Sequence, residues 1–419
     1  MTRTEALALD AADALAPLRE LFDLPEGVIY LDGNSLGALP RATAERVQQV
    51  VQEEWGRGLI GSWNSAGWMT LPQRVGDKIA RLVGADAGEL VVADSTSVNL
   101  YKVLSAALTI VHADAPQRKV IVSERSNFPT DLYIAESLAR ERGLELVLAQ
   151  ADQLPALLGE RTAVLLLTHV NFRSGRMHDM AALTRAAHAA GALTVWDLAH
   201  SAGAVPVDLR GADADFAIGC GYKYLNGGPG APAFVWAHPR HVERFWQPLA
   251  GWIGHAAPFE FKPGYRPAAG IARYQCGTPT ILSLAALECG VDTLLAAEPL
   301  AQGKGAMAAL RKKSLELTRL FARRVKATCP GLAMVSPPID AQRGSQVCFA
   351  HPEMAYAATQ ALIARGVVGD FRAPDILRFG FAPLYLRYVD AWDAARQLQQ
   401  VLQTQEWRRP EFNQRHAVT

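Results

Sequence analysis

Short apolar runs alternate with helix-like stretches through the middle of the chain, from about residue 88 onward. The runs are continuously apolar and do not alternate with polar residues, which is typical of strands covered on both faces. Helix-like stretches such as Asn99–Val111 and Asp179–Ala190 lie between several of them. This order predicts an α/β domain with a mainly parallel central sheet. The predicted strands are Glu89–Ala93, Lys119–Ser123, Leu144–Leu148, Thr162–Leu167, Ala192–Asp197, Phe216–Gly219 and Ala233–Trp236.

The two ends of the chain have a different pattern. Amphipathic helical segments are predicted around Thr4–Phe22 and Arg41–Trp55, and a long helix from Leu300 to Ala327. The C-terminal stretch then mixes strands and helices in an α+β order. Its predicted strands are Ser345–Ala350 and Ile376–Phe381, and its predicted helices are Ala355–Arg365 and Val389–Leu402.

These two patterns predict two domains. A length of 419 residues allows about two or three domains of ordinary size. We place a large domain over residues 65–290 and a smaller α+β domain over residues 1–64 and 291–419, so that the smaller one is built from both termini.

Composition excludes several classes of protein. Half of the residues are hydrophobic, and 42 basic residues against 41 acidic ones leave a formal charge of +1. No basic patch or tail for nucleic acid occurs, and the apolar content argues against disorder. Runs such as Ala163–Leu167 are far shorter than the ~20 residues that a membrane span needs. Because the N-terminus contains Glu5 and Asp10 and no signal-peptide pattern, a cytoplasmic enzyme is expected.

The cysteines agree with a reducing compartment. Five occur, at positions 220, 276, 289, 329 and 348, without any C-x-x-C pair. This predicts neither a disulfide framework nor a zinc site, and no other metal site is predicted. Reduced, mostly buried thiols are expected.

An acid lies at the end of one predicted strand. Asp197 ends the run Ala192–Asp197, and His200 follows at the junction with the next helix-like stretch. Open α/β sheets bind ligands outside the carboxyl ends of their strands, and a buried acid there needs a cationic partner. The same residues also fit a helix-capping Asp followed by a core His.

A single lysine lies among aromatic residues after the next strand. Lys223 is flanked by Tyr222 and Tyr224 and is followed by the glycine-rich segment Asn226–Gly230. Apolar surroundings lower the pKa of a lysine and make its amine a usable nucleophile. A surface lysine beside a turn would have the same sequence. The pairing with Asp197 favours the catalytic interpretation.

The acid and the lysine together fit a cofactor that is an aldehyde. Pyridoxal phosphate needs a carboxylate facing its pyridinium nitrogen and a lysine that binds its aldehyde as a Schiff base. It also needs an anion site, and Asp94–Asn99 offers hydroxyls and amides at a predicted helix N-terminus, although a simple helix cap has the same composition. The segment Ser126–Asp131 adds an aromatic ring and a second acid.

Four segments carry a more specific resemblance: Tyr30–Gly37 (Tyr-Leu-Asp-Gly-Asn-Ser-Leu-Gly), Phe128–Asp131, Trp196–His200 and Tyr222–Gly230. Their combination resembles the kynureninase family, in its bacterial type. The resemblance runs from about Leu18 to Arg415-His416. It implies the aspartate aminotransferase-like fold of pyridoxal-phosphate enzymes (fold type I), pyridoxal 5'-phosphate as cofactor, and a homodimer with shared active sites.

The resemblance also implies a role for individual residues. Lys223 would hold the cofactor and move protons at the substrate Cα, Asp197 would pair with the pyridinium nitrogen, and Tyr222 would be a further catalytic residue. The family draws a Trp and an Asn of its phosphate site from the neighbouring subunit. Trp252 matches the first, whereas Thr278 stands where the vertebrate-type enzyme has Asn. The implied cofactor-binding residues are Thr96, Ser97, Phe128, Asp131, Thr168, Asp197, His200, Tyr222, Lys223, Trp252 and Thr278.

Substrate binding requires a cation for an amino-acid carboxylate. Arg378 lies in the apolar strand-like run Ile376–Phe381, where an unpaired guanidinium would be costly. A bidentate carboxylate contact explains it, and the family has its carboxylate-binding Arg at this position; an internal salt bridge is the alternative. By resemblance Ser35 and Trp63 line the aryl pocket, although Trp63, Trp68 and Trp55 could equally be core aromatics.

The reaction implied by the resemblance is hydrolysis of the Cβ–Cγ bond of L-kynurenine to anthranilate and L-alanine, with a possible side activity on 3-hydroxykynurenine. Three alternatives remain. Another fold type I enzyme, such as an aminotransferase or a cysteine desulfurase, is one, although a desulfurase needs an exposed activated Cys and neither Cys329 nor Cys348 fits that requirement. A non-catalytic ligand-binding relative is the second, and the retained Lys223 argues against it. A nicotinamide dehydrogenase is the third, disfavoured because no G-x-G-x-x-G pattern occurs.

Overall fold

The computed structural model describes residues 1–415, so that His416 lies outside the described residues. No helix within this range is long and apolar enough to cross a membrane. In chain order the strands are β1 (Ile29–Tyr30), β2 (Leu90–Val92), β3 (Val120–Glu124), β4 (Glu145–Ala149), β5 (Thr162–Thr168), β6 (Leu193–Asp197), β7 (Phe216–Gly219), β8 (Phe234–Ala237), β9 (Ala333–Met334), β10 (Gln346–Ala350), β11 (Val367–Val368), β12 (Asp370–Arg372) and β13 (Ile376–Gly380). The α-helices are α1 (Arg3–Ala11), α2 (Arg41–Gln49), α3 (Ser62–Ser65), α4 (Leu71–Val83), α5 (Thr96–Asp114), α6 (Pro129–Arg142), α7 (Leu154–Leu157), α8 (Met180–Ala189), α9 (Pro239–Val242), α10 (Ile281–Leu295), α11 (Ala306–Thr328), α12 (Ala355–Ala364) and α13 (Tyr388–Gln403).

The central sheet has seven strands in the order β2-β8-β7-β6-β5-β3-β4. The strands from β4 to β7 in this order are parallel, and β8 runs antiparallel to both of its neighbours. Val164 and Leu166 of β5 belong to one core cluster, whereas Leu165 and Leu167 belong to the other. Successive side chains of a strand point to opposite faces, so both faces of the sheet are covered. The predicted mainly parallel sheet is confirmed, with each predicted strand within two residues of its observed bounds.

The two chain ends pack together around a second sheet. This antiparallel sheet has the order β12-β13-β10-β9. Strands β1 and β11 form a separate parallel pair, with Ile29 opposite Val367. A single parallel bridge between Asp32 and Gly380 of β13 joins the N-terminal segment to the four-stranded sheet. Helices α1 and α11 both pack against α13. These pairings support a smaller domain made from both termini, although its boundaries remain a prediction.

Three helix predictions need correction. The predicted helix Thr4–Phe22 is wrong as a single element, because α1 ends at Ala11 and a 3₁₀ helix over Ala16–Leu21 follows, with Pro17 near its start. The predicted helix Arg41–Trp55 changes to π-helical hydrogen bonding at Val50. The long helix begins at Ala306 and not at Leu300. Its late start follows from Gly303 and Gly305, whose φ values of 77° and 82° are incompatible with a right-handed helix.

Candidate active site

The carboxyl ends of the parallel strands meet at a cavity of about 190 Å³. Asp197, the last residue of β6, lies opposite Thr168, the last residue of β5. Lys223 comes shortly after β7, and the first turns of α5 and α6 line the other side. The predicted cofactor residues that line this cavity are Thr96, Ser97, Phe128, Asp131, Thr168, Asp197, His200, Tyr222 and Lys223.

Lys223 has its amine inside this cavity. The Nζ atom lies 3.0 Å from Nε2 of His200. It is 6.0 Å from the ring centre of Phe128 and 5.6 Å from that of Tyr222. Burial lowers the pKa of Lys223, which increases the fraction of neutral amine. Because the neutral amine is the nucleophile, the site favours covalent attachment of an aldehyde.

His200 is the nearest polar neighbour of this amine. Burial, and next the charge of Lys223, hold the pKa of His200 well below its ordinary value. The imidazole is therefore neutral, and its Nε2 can accept a hydrogen bond from the amine. The other ring nitrogen, Nδ1, is buried and has no partner among residues 1–415.

Asp197 divides its two carboxylate oxygens between the backbone and the cavity. Oδ1 accepts a hydrogen bond from the N–H of Ala199 at 2.8 Å. This contact lies in the turn after β6, and because no helix lies between β6 and β7, the helix-capping alternative is wrong. Oδ2 lies 3.4 Å from the hydroxyl of Thr168. Asp197 is only 3% exposed, and burial raises its pKa.

Asp131 is a second buried acid beside Asp197. The hydroxyl of Thr168 lies 3.3 Å from Oδ2 of Asp131 and so connects the two carboxyl groups. Burial, and next the charge of Asp197, raise the pKa of Asp131 well above its ordinary value. Two carboxylates so close cannot both ionise readily, so Asp131 holds a proton and Asp197 carries the charge.

The N-terminus of α5 offers donors that could hold an anion. Ser95 is its N-cap, and its hydroxyl accepts the N–H of Val98 at 3.3 Å. The first N–H groups of a helix have no partner within the helix, and they attract anions. Asp94, immediately before the cap, has a φ of 50° and is ion-paired with the fully buried Lys102. That buried ion pair fixes the turn that presents these donors.

These groups fit pyridoxal phosphate. Among residues 1–415 no cationic side chain forms an ion pair with the buried carboxylate of Asp197. A protonated ring nitrogen would be its cationic partner. The N-terminus of α5 suits the phosphate, and the amine of Lys223 suits the aldehyde. Phe128, 39% exposed, offers a ring face between them.

Tyr222 remains protonated in this site. Burial raises its pKa to about 12. Its hydroxyl is therefore a hydrogen-bond donor over the physiological pH range. Phe172, which the sequence analysis missed, also lines the cavity and packs edge-on against Phe128 with ring centres 5.3 Å apart.

Arg378 forms an internal salt bridge. Its Nη2 lies 2.6 Å from Asp370 and donates to Ser35 at 2.7 Å. Its Nη1 donates to the carbonyl oxygen of Phe172 at 2.6 Å. The salt bridge is the alternative raised from the sequence, and the predicted carboxylate contact remains a prediction. Asp370 and its second partner, Arg372, escaped the sequence analysis because they match no motif and meet Arg378 only through strand pairing.

Five predicted site residues do not line the cavity. Ser35 and Arg378 bind each other beside it, and Trp252, Thr278 and Trp63 lie elsewhere. Trp252 is 37% exposed and packs against Phe259 with ring centres 5.8 Å apart. Thr278 lines a separate cavity of about 60 Å³. Trp63 packs edge-on against Trp68 with ring centres 5.7 Å apart. Their roles remain predictions.

Comparison with known sequences places the chain beside one family. A family model described as "Kynureninase C-terminal domain" matches residues 310–398. The chain is 57% identical over 424 residues to a kynureninase of Burkholderia pseudomallei (strain 1106a), covering 100% of both. It is 55% identical over 423 residues to a kynureninase of Pseudomonas fluorescens, again covering 100% of both. The similarity therefore extends over the whole chain.

Solved structures show the same architecture at low sequence identity. A cysteine desulfurase from Thermococcus onnurineus NA1 has a TM-score of 0.77 at 18% identity, covering 93% of this chain and 98% of that chain. A cysteine desulfurase from Escherichia coli has a TM-score of 0.74 at 20% identity, with the same coverage. At such identities the likeness shows the fold alone. It confirms the predicted aspartate aminotransferase-like (fold type I) architecture.

Proposed function

The chain belongs to the kynureninase family, and on that premise we propose that it uses pyridoxal 5'-phosphate to hydrolyse L-kynurenine to anthranilate and L-alanine. The reaction breaks the Cβ–Cγ bond of the substrate and belongs to tryptophan catabolism. The observation that carries this proposal is 57% identity over the full length of a kynureninase. The cavity supports it, since Lys223 and Asp197 both line it and supply an amine and a carboxylate of the kind that the cofactor needs.

Bound pyridoxal phosphate supplies an electron sink for the negative charge that develops at the substrate Cα. Lys223 would hold the cofactor through its amine, and that amine, whose pKa burial lowers, would accept the proton from Cα of the substrate. Asp197 would keep the ring nitrogen protonated, because a buried carboxylate stabilises a cation beside it.

Tyr222 and Arg378 act on the substrate in this proposal. The hydroxyl of Tyr222, whose pKa burial raises to about 12, donates to the γ-carbonyl oxygen as water adds to that carbon. Arg378 binds the α-carboxylate. Ser35 and Trp63 border the aryl group. Unsubstituted kynurenine is the preferred substrate and 3-hydroxykynurenine a slower one.

We further propose that two copies of the chain share their active sites. Trp252, Phe259 and Phe261 form an exposed aromatic cluster outside the cavity, with successive ring centres 5.8 Å and 6.2 Å apart. Single exposed apolar residues are normal, but a contiguous cluster is typical of an interface. Trp252 and Thr278, which lie outside the cavity of their own chain, would complete the cavity of the partner. A cytoplasmic location is also proposed, supported by five free cysteines.

The test is turnover of L-kynurenine, followed by anthranilate fluorescence with alanine measured in the same samples. We expect equal amounts of both products and slower release from 3-hydroxykynurenine. L-cysteine is the control substrate for the desulfurase alternative. Cys348 is fully buried and burial raises its pKa to about 11, so no sulfide release is expected. Alanine formed from cysteine, without anthranilate from kynurenine, would overturn the proposal.

A further inference from the structure

Two arginines on adjacent strands share one carboxylate beside the cavity. Strands β12 and β13 are antiparallel, and Asp370 lies directly opposite Arg378. Arg372, two residues after Asp370, lies on the same face of β12. The Nη2 atoms of Arg378 and Arg372 lie 2.6 Å and 2.7 Å from Oδ2 of Asp370. One carboxylate oxygen therefore holds two guanidinium groups side by side.

Ser35 ties the two guanidinium groups together. Its hydroxyl accepts from Arg378 at 2.7 Å and from Arg372 at 3.2 Å, and donates to Asp370 at 2.8 Å. Ser35 belongs to the N-terminal segment, so this contact crosses from one end of the chain to the other. The arrangement is thus fixed from both sides and does not depend on the two strands alone.

The two arginines differ in their exposure to a ligand. Arg378 is 1% exposed, and its Nη1 and Nη2 are already bonded to Phe172, Asp370 and Ser35. Arg372 is 37% exposed. The Nε atoms of both arginines are buried donors that have no acceptor among residues 1–415. Arg372 is therefore the arginine whose guanidinium a ligand can reach, because its side chain is the more exposed.

Both guanidinium groups act on the cavity electrostatically. Beyond the larger effect of burial, the charges of Arg378 and Arg372 lower the pKa of Lys223 and of His200. Arg372 also acts on Tyr222, in the direction opposite to burial. The positive charge thus reaches the place where an amino acid attached to the cofactor would lie.

The charges in this cluster do not fully cancel, so that it can bind one more anion. Asp370 supplies one negative charge against the two guanidinium groups. The remaining acid is Asp32, and burial and next the charge of Asp370 raise its pKa to about 7. Its Oδ1 is buried without a hydrogen-bond partner among residues 1–415. With Asp32 about half protonated at neutral pH, the cluster has a net charge between 0 and +1, and a substrate carboxylate would favour the protonated form of Asp32.

We propose that Arg372 is a second carboxylate-binding residue, which contacts the α-carboxylate of the amino-acid substrate together with Arg378, and that Asp370 positions both guanidinium groups. This inference rests on the proposed function, because that function supplies the amino-acid substrate. Arg372 provides the hydrogen-bond donors that the carboxylate can reach, and Arg378 provides a buried positive charge next to them. Two cations from adjacent strands recognise a carboxylate with fixed geometry and reject an uncharged analogue.

The test compares ligands with and without the carboxylate charge. L-alanine and L-alaninamide are titrated into the holoenzyme, with binding followed by the absorbance of the cofactor. We expect Arg372→Gln to weaken alanine binding about 10- to 100-fold, as for loss of a charged hydrogen-bonding group, and to leave alaninamide binding nearly unchanged. Arg372→Lys, which keeps the charge without the planar fork, should give a smaller loss. The matched control is Arg365→Gln, which removes a half-buried arginine paired with Glu406 in the smaller domain.

Steady-state kinetics with L-kynurenine give the second readout. Arg372→Gln and Asp370→Asn should raise KM by at least about tenfold with a smaller change in kcat, because a ground-state contact is lost. The inference is overturned if Arg372→Gln binds both alanine and alaninamide as tightly as wild type does and its KM is unchanged. Arg372 would then be only a structural partner of Asp370. If wild type binds alanine but releases no anthranilate from kynurenine, the proposed function is wrong. The comparison of alanine with alaninamide then still tests whether Arg372 binds the carboxylate.

Discussion

The amine of Lys223 lies 3.0 Å from Nε2 of His200 inside the cavity at the carboxyl end of the sheet. Burial lowers the pKa values of both groups. The lowered pKa of Lys223 increases the fraction of neutral amine, which is the form that attacks an aldehyde and later accepts a proton. The first prediction concerns this pair.

Replacing His200 with Ala should slow attachment of the cofactor. The smaller side chain admits water, and because burial is the main cause of the lowered pKa of Lys223, that pKa should rise. Reconstitution of the apo protein with pyridoxal phosphate should be about 3- to 10-fold slower at pH 7, with the difference narrowing at higher pH. Stopped-flow absorbance measures this rate. His112→Ala, an exposed histidine, is the control. A rate independent of position 200 at every pH would contradict the account.

Asp197→Asn should reduce kcat far more than it changes the melting temperature. The amide keeps the size of the side chain but removes the buried negative charge that would pair with the ring nitrogen of the cofactor. We expect kcat for L-kynurenine to fall at least about 100-fold. The exposed Asp152→Asn is the matched control. Wild-type turnover in Asp197→Asn would exclude the assigned role.

Gly37 brings the N-terminal segment against the lysine loop, where a side chain has no room. Its N–H donates to the carbonyl oxygen of Tyr222 at 2.8 Å, and a Cβ at Gly37 would lie 2.6 Å from Cα of Asn226. Gly37→Ala should therefore displace the Lys223 loop, release cofactor on dialysis and lower the melting temperature by about 4 °C or more. Gly61→Ala, where a Cβ meets nothing within 4 Å, should behave as wild type. Full cofactor retention in Gly37→Ala would show that the loop adapts.

A cluster at the far end of the sheet should make stability depend on pH. Nε2 of His188 lies 2.8 Å from Asp215, and that hydrogen bond raises the pKa of His188. Although burial opposes ionisation, hydrogen bonds from His188, His241 and Arg240 lower the pKa of Asp215. The stability from His188 is therefore fully present below its unfolded pKa of about 6.5 and is lost as pH rises through the folded value.

His188→Gln should accordingly lower the melting temperature more at pH 6 than at pH 9. The expected loss at pH 6 is about 2 °C, because one partly exposed pair contributes little to so large a chain. Differential scanning calorimetry at both pH values measures it. A loss that is equal at the two pH values, or larger at pH 9, would mean that the charge on His188 does not stabilise the fold.

The central sheet was predictable from sequence because both of its faces are covered. The run Ala163–Leu167 is apolar at every position, and β5 is buried throughout. The short strands β1 and β11 were not predicted, because two residues such as Ile29 and Tyr30 are too few to form a pattern. Their pairing depends on contacts between distant parts of the chain.

The candidate site was predictable where it follows the strand-end rule or a motif. Asp197 and Lys223 lie where the sheet presents ligands, and the structure brings them together. Arg372 was missed because its partners come from the opposite strand and from Ser35, more than three hundred residues earlier in the chain. Trp252 lies outside the cavity of its own chain. A single sequence does not tell which subunit such a residue serves.

The proposed reaction requires the amine of Lys223, both to hold the cofactor and to accept the proton from the substrate Cα. The decisive measurement is the rate of anthranilate release from L-kynurenine by Lys223→Ala, beside wild type and the exposed-lysine control Lys312→Ala, at equal concentrations of pyridoxal phosphate. We predict a fall of at least about 1,000-fold for Lys223→Ala, with the melting temperature and the Lys312→Ala rate close to those of wild type. Turnover by Lys223→Ala within about tenfold of wild type would contradict the account.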